Sequence, residues 1–547
     1  MTDDVRHCLL DESLLSVGDA TGRRVGMLSL PELYAALVRG AVSDFPALRP
    51  HQRHVWHAFL VQVGALALHR AGIAELPDDA AEWRELLLAL TPDDPDGAAW
   101  ALVAPHERPA LLQPPVPGGD VSKFNSVATP DELDILIANK NHDIKIGYMR
   151  SAQPEHWLFA LVSAQTQSGY SGPTWYGVSR MNGRSATRPG VGVDTEQNLG
   201  ARVVRDCRLL LAARDRIAED HEYPRADGIG LLWLTPWDGR SALNKSQLDP
   251  FFVEVCRRIR LVSDPQGGEG SLKARAIGSA KERVAMKAFH GNVGDPWTPL
   301  ARDGAQYKAV TPSVDTFGYK KLAPILFPSS ADPKAPRRAL LQLCYPSDPD
   351  RGISVLIRAV VRGQGETQGF RERRIPISKT LRPFLGPEVA TDLAARVASE
   401  RVEDGGLFAK RVLYPAFIVV YTATSRVGEM TREDDTAKAR ARNALARFDA
   451  AVDATFFADL EAELAHAADP DARESARGNW LLQLRDLGRH VLDDVLASAP
   501  TAAMRHYRTR TRAHSRFAVA FHRQFGHRLP DAAASRRTRE PRDPLHD

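Results

Sequence analysis

Near Pro383 the chain changes from segments punctuated by Gly and Pro to long Ala/Leu/Arg/Glu-rich stretches, and this shift constrains the fold most. Helical periodicity over Pro387–Arg401, Ala409–Thr422, Ala437–Leu464, Ala476–Ala497 and Thr501–Gln524 predicts five helices. Short loops between them favour an antiparallel bundle. Upstream, alternating apolar runs mix with helical ones. The expected class is α+β: a large mixed N-terminal domain over 1–380, a helical bundle over 381–528, and a disordered polar tail over 529–547.

In the N-terminal part, Ser29-Leu30-Pro31-Glu32 has the pattern of a helix start, with a capping hydroxyl and Pro in the first turn. Short strands are expected over Cys8–Val17 and Arg23–Leu30. Helices are expected over His54–Ala71 and Ala81–Leu90, building core. The histidines there, His51, His54, His57 and His69, are scattered over helical faces and read as structural. Pro105–Pro117 predicts a linker or wrapping loop. Strands are expected at Leu231–Trp237, at the start of Asp249–Leu261, at Ala339–Tyr345, Ile353–Val361 and Arg371–Ser378.

The segment His156–Val193 contains no Asp or Glu, six glycines, and Arg180, Arg184 and Arg188. Arginines without nearby acids offer charge to phosphate, and glycines allow close backbone approach. Arg180 and Arg184 are therefore candidate phosphate contacts. The segment lacks dinucleotide and Walker A spacing, so it is no nucleotide fingerprint. Net charge is only +4, so any polyanion must be held by local patches. Three such patches stand out. From Arg257 to Lys287 eight basic residues face three acids. RGQGETQGF, Arg362–Phe370, is a hairpin tip whose glutamine amides suit base edges and whose rigid end suits a wedge. The last helix carries Arg505, Arg508, Arg512 and Arg516 on one face, with Arg508 and Arg512 as further candidate phosphate contacts.

Catalytic signals are sparse. Lys140-Asn141-His142-Asp143 suggests a metal-dependent nuclease loop, but no second histidine or acid cluster accompanies it. A polar loop touching nucleic acid through Lys140, Asn141 and His142 fits better. A scaffold without nucleic-acid affinity is the third reading. Cys8, Cys207, Cys256 and Cys344 form no C-x-x-C pair, so no metal or disulfide framework is expected and a reducing cytoplasm is. No cofactor is indicated, and no apolar run reaches the roughly 20 residues of a membrane helix.

Together these parts resemble the CasA family, the large subunit of the type I-E CRISPR surveillance complex called Cascade. LLDESLLSV followed by LSLPELYAAL is similar to the family's strand-then-helix start, although the usual Pro-Trp is missing. LFALVSAQTQSGYSGP is similar to the helix entering the family's glycine loop. RGQGETQGFRERR is similar to its glutamine-wedge hairpin, and the helical C-terminus matches its bundle.

The resemblance implies a non-catalytic subunit. It would bind crRNA and double-stranded target DNA, read the protospacer-adjacent motif (PAM), start the R-loop, and help recruit a helicase-nuclease beside the other Cascade subunits. Residue by residue, Gly169, Tyr170, Ser171 and Gly172 would be the PAM glycine loop. Gln368, between Thr367 and Gly369, would be the wedge. Lys281 would be the minor-groove lysine, with Lys273 or Lys287 as alternatives. Asn139, Lys140, Asn141 and His142 would meet the crRNA and backbone subunits. No metal is implied.

Overall fold

The computed structural model describes the chain except residues 1–4, 135, 138–148, 150, 168–176, 179, 182–186, 196–197, 269, 314–316, 363–366, 388–390, 424–434, 500–502 and 530–547. The chain divides into two units, Met1–Phe317 with Pro336–Ser378, and Gly318–Ala335 with Lys379–Asp547. Among the described residues no helix is long and apolar enough to cross a membrane.

The first unit is α+β, with small sheets packed around an apolar helix. That helix, Arg53–Ala71, is buried from His54 to Leu68 and ends on Gly72 at φ 68°, a left-handed cap that favours glycine. Against it lie Leu30–Val38, Ala80–Leu88, Pro154–Thr166 and Leu199–Asp220. The Ser29 reading holds: its side chain accepts from the Glu32 amide while Glu32 reaches back, a complete capping box.

Three strands form the sheet most relevant to function. Ser354–Arg362 is its centre, with Thr367–Pro376 on one side and Gly190–Asp194 on the other, all antiparallel. A second three-stranded sheet has the order Asn125–Val127, Leu272–Ile277, Arg258–Ser263.

Three expected strands are corrected. Ala339–Tyr345 holds a single 3-10 turn, Leu340–Gln342, because the Gln342 side chain bonds back to the Ala339 amide. Leu231–Trp237 is strand only at its start: Ile229–Leu231 is followed by a 3-10 turn, Leu232–Leu234. Cys8–Val17 is two strands, Arg6–Cys8 and Leu15–Gly18, separated by a turn in which Glu12 binds the Cys8 amide.

The second unit is helical. Its helices are Tyr319–Leu326, Thr391–Leu407, Tyr414–Ala423, Asp435–Leu464, Pro470–Ser498 and Ala503–Phe525. A π-turn, Phe408–Leu413, lies between the second and third. It points Phe408 into the core, where its ring meets Phe448 at 5.2 Å and Phe517 and Phe521 at 6.0 Å each. Residues 318–335, assigned from sequence to the N-terminal domain, cluster with these helices. The Tyr319 amide donates to Asp453 at 2.6 Å and Lys320 pairs with Asp449 at 2.7 Å.

Candidate nucleic-acid interface

The hairpin built by Ser354–Arg362 and Thr367–Pro376 carries the first candidate. Its ladder runs Val360↔Phe370, Val361↔Gly369, then Arg362↔Thr367. Gln368 is therefore the extra residue of a β-bulge, without an opposite partner. Bulges bend a strand and re-aim a side chain. Gly369 adopts φ 93°, which a side chain would strain, so glycine is required at this bend. Thr367 is buried, whereas Gln368 is exposed. The backbone thus presents one amide side chain outward from a stiff root.

Arg362, at the same root, was not singled out from sequence. Its Nη1 is buried without an acceptor. Burial first, and then the charge of Arg257, bring its pKa down to about 10. It places a positive charge beside the bulge.

The glycine-rich segment enters this region from the helix Pro154–Thr166 and leaves by the strand Gly190–Asp194. Gly169, Tyr170, Ser171, Gly172 and Arg184 lie outside the described residues, but both ends of their segment are fixed. Gln167 is fully buried. Its side chain bonds the His51 carbonyl and His54, and its own carbonyl accepts the Arg188 amide at 3.1 Å. Thr187 donates to the Val360 carbonyl of the hairpin. Gly190 then pairs with Arg358 in the ladder. The exit strand of the glycine-rich segment and the bulged hairpin are hence members of one sheet.

Arg180 is not a phosphate contact as the structure places it. It is 2% exposed and held by Glu254 and Asp295, both at 3.2 Å, with its guanidinium 3.9 Å over the Phe252 ring. Arg188 likewise meets Asp295 at 2.7 Å and stacks on Trp297. Burial pulls the Arg188 pKa down to about 10, with Arg180 adding to the fall and Asp295 opposing it. The acids missing from the local sequence arrive from Glu254 and Asp295, far along the chain. These arginines clamp the segment.

The basic stretch Arg257–Lys287 is corrected in the same way. Arg260 is fully buried and donates to the carbonyls of Ala104, Pro105, Arg108 and Gln113. Pro105–Pro117 is therefore a wrapping loop around a guanidinium. Arg257 donates to the Ala164 carbonyl and Arg283 to those of Leu232 and Thr235. Lys273 pairs with Asp264 at 3.2 Å. Lys281 and Lys287 are exposed, and the Lys281 amide is pinned to the Gly239 carbonyl.

Asn139, Lys140, Asn141, His142 and Asp143 lie outside the described residues. The ends of that loop are anchored by two buried acids. Asp134 accepts from His51 at 2.8 Å, Gln52 at 2.8 Å, and the amides of Leu136 and Ile137. Asp131 binds Arg49 at 2.6 Å and the Met149 amide at 3.1 Å. Among the described residues no group of three or more His, Cys, Asp or Glu could hold a metal ion.

In the second unit, Arg505, Arg508, Arg512 and Arg516 are exposed on Ala503–Phe525. The same helix buries Ala513, Phe517, Phe521 and Phe525. This is the amphipathic division the spacing predicts.

No family model and no curated protein sequence matches the chain. Solved structures do. The crystal structure of CasA from Thermus thermophilus superposes with a TM-score of 0.62 at 16% identity, covering 94% of this chain and 99% of that one. The chain has the CasA fold. The CRISPR-associated protein Cse1 of Acidimicrobium ferrooxidans gives 0.59 at 19% identity, over 97% of this chain and 99% of its own. A chain of a CRISPR RNA-guided surveillance complex gives 0.50 at 13% identity, over 94% and 99%. The CasA fold thus spans both units of this chain.

Proposed function

We propose that this chain is the non-catalytic large subunit of a type I-E Cascade complex in the cytoplasm, assembled with crRNA and the other Cascade subunits. It reads a PAM in duplex DNA, parts the strands, and helps recruit a helicase-nuclease. One observation supports the reading: the strand that ends the glycine-rich segment and the strand that carries the bulged, exposed Gln368 flank the same central strand, Ser354–Arg362. In this reading a duplex gripped at Gly169–Gly172 meets a wedge at Thr367–Gly369, with Arg362 beside it as a phosphate partner. Minor-groove reading by backbone and a lysine such as Lys281 is permissive, because that groove presents a degenerate pattern. Guide pairing then reads the sequence, while protein reads PAM and backbone.

Wedging costs a few kcal/mol per unstacked step, which the contacts around it must offset. Gln368→Ala is expected to spare assembly and slow R-loop formation roughly ten- to hundredfold, about 1.4–2.8 kcal/mol. An unchanged rate on a correct target, followed by a strand-opening fluorophore, would refute the wedge.

Arg508 and Arg512 provide a second, sequence-independent contact in this reading. Each neutralised phosphate contributes about 0.9 to the salt slope of duplex binding. Replacing both by Gln should flatten that slope by about 1.8 in the assembled complex. A slope that stays put removes these residues from the interface. Complete indifference of binding to salt would instead favour a scaffold.

A further inference from the structure

The first unit holds a cavity of about 150 Å³ between its functional sheet and the helices Arg53–Ala71 and Leu199–Asp220. One wall is apolar, made by Phe45, Leu48, Trp56 and Leu60. The polar part of the lining holds Arg53, Arg202, Arg358 and Arg374 together with His57 and one carboxylate, Asp194.

Three of these arginines have carboxylate partners. Arg53 meets Asp44 at 2.8 Å, Arg358 meets Glu372 at 2.5 Å, and Arg374 meets Asp194 at 2.6 Å. Arg202 does not. It is 4% exposed, its Nε has no acceptor, and no carboxylate among the described residues pairs with it. Asp194 and Asp206 balance its charge at longer range, but their hydrogen-bonded partners are other groups. Arg374 holds the first; His57 and Arg205 hold the second. Trp56 adds another orphan, since its buried Nε1–H also lacks an acceptor. Among the described residues, the lining therefore offers two buried side-chain donors without an acceptor, one of them on a charged group. A buried donor left without an acceptor is costly, and such groups call for something that completes them.

We propose that this cavity binds a small organic monoanion, a carboxylate on a compact apolar body. The carboxylate takes the Arg202 guanidinium and the apolar body lies against Trp56 and Phe45. A cavity of about 150 Å³ accepts a body the size of benzene. A nucleotide is too large for it. Inorganic phosphate would leave the apolar wall bare. The site is independent of the duplex contacts proposed above.

Benzoate is the probe, titrated into the purified full chain and followed by ligand-observed NMR with thermal unfolding in parallel. Saturable binding is expected with a dissociation constant of roughly millimolar order, given so few contacting atoms. The neutral isostere benzamide should bind at least about tenfold more weakly, since a charge-assisted hydrogen bond is at stake. Inorganic phosphate should not displace benzoate. Arg202→Gln should weaken benzoate by a similar factor, and Arg202→Lys should retain most of it. Absence of saturable binding, equal affinity for benzamide, displacement by phosphate, or undiminished binding to Arg202→Gln would each overturn the proposal.

Discussion

Asp295→Ala is expected to destabilise the first unit by about 3–5 kcal/mol, the loss seen when a buried ion pair is broken from one side. The carboxylate is 1% exposed and serves Arg180, Arg188 and the Trp297 amide together. Its removal leaves two guanidiniums in a space closed by Phe252 and Trp297, with Glu254 as their remaining carboxylate among the described residues. Urea unfolding of wild type and variant measures the difference. A loss below about 1 kcal/mol would mean that water or a neighbour replaces the carboxylate, and that the clamp is weaker than its geometry implies. Because Arg180 and Arg188 fix the glycine-rich segment, duplex binding should fall with stability. A charge-free repacking such as Arg180→Met with Arg188→Leu and Glu254→Gln would separate the two effects.

Asp134→Ala is the second large expectation, again about 3–5 kcal/mol. The variant leaves His51, Gln52 and two backbone amides without their acceptor at the root of the loop over 138–148. This cost depends on pH. Burial pushes the Asp134 carboxyl pKa up, but His51, Arg49 and the Leu136 amide outweigh it, and the net shift is downward from 3.8. A depressed folded-state pKa means that stabilisation is full above the unfolded carboxylate pKa of about 3.9 and is lost as pH falls through the folded value. The stability gap between wild type and Asp134→Ala should therefore be constant near neutrality and narrow below about pH 4. A gap that stays constant down to about pH 2 would show that the carboxylate contributes nothing as a charge.

Local patterns were readable wherever the interaction itself is local. Ser29 and Glu32 close their capping box within one turn. The arginine and phenylalanine faces of Ala503–Phe525 follow from helical spacing alone. RGQGETQGF announced a hairpin, and the likeness to CasA was visible in motifs even though identity to solved CasA and Cse1 structures is below 20%. Inference from missing local acids failed at the buried arginines. Arg180 looked unpaired because its partners are 74 and 115 residues away. Arg260 counted toward a polyanion patch because carbonyl acceptors leave no trace in a side-chain sequence. Gln165 and Gln167 were passed over. A glutamine within an apolar helix is the available signal, since burying its amide requires partners such as the Arg257 carbonyl and the His51 carbonyl.

The ladder between Gly190 and Arg358 also acts as a ruler. Side-chain clefts can breathe, but strands in register move by whole residues or not at all, and a one-residue slip turns every inward side chain outward. The offset between Gly190 and the exposed Gln368 across the sheet is accordingly quantised. Lineages that lengthen the hairpin must do so in pairs of residues to keep its tip facing the same way. An odd insertion has to be absorbed by a second bulge, as Gln368 absorbs one now.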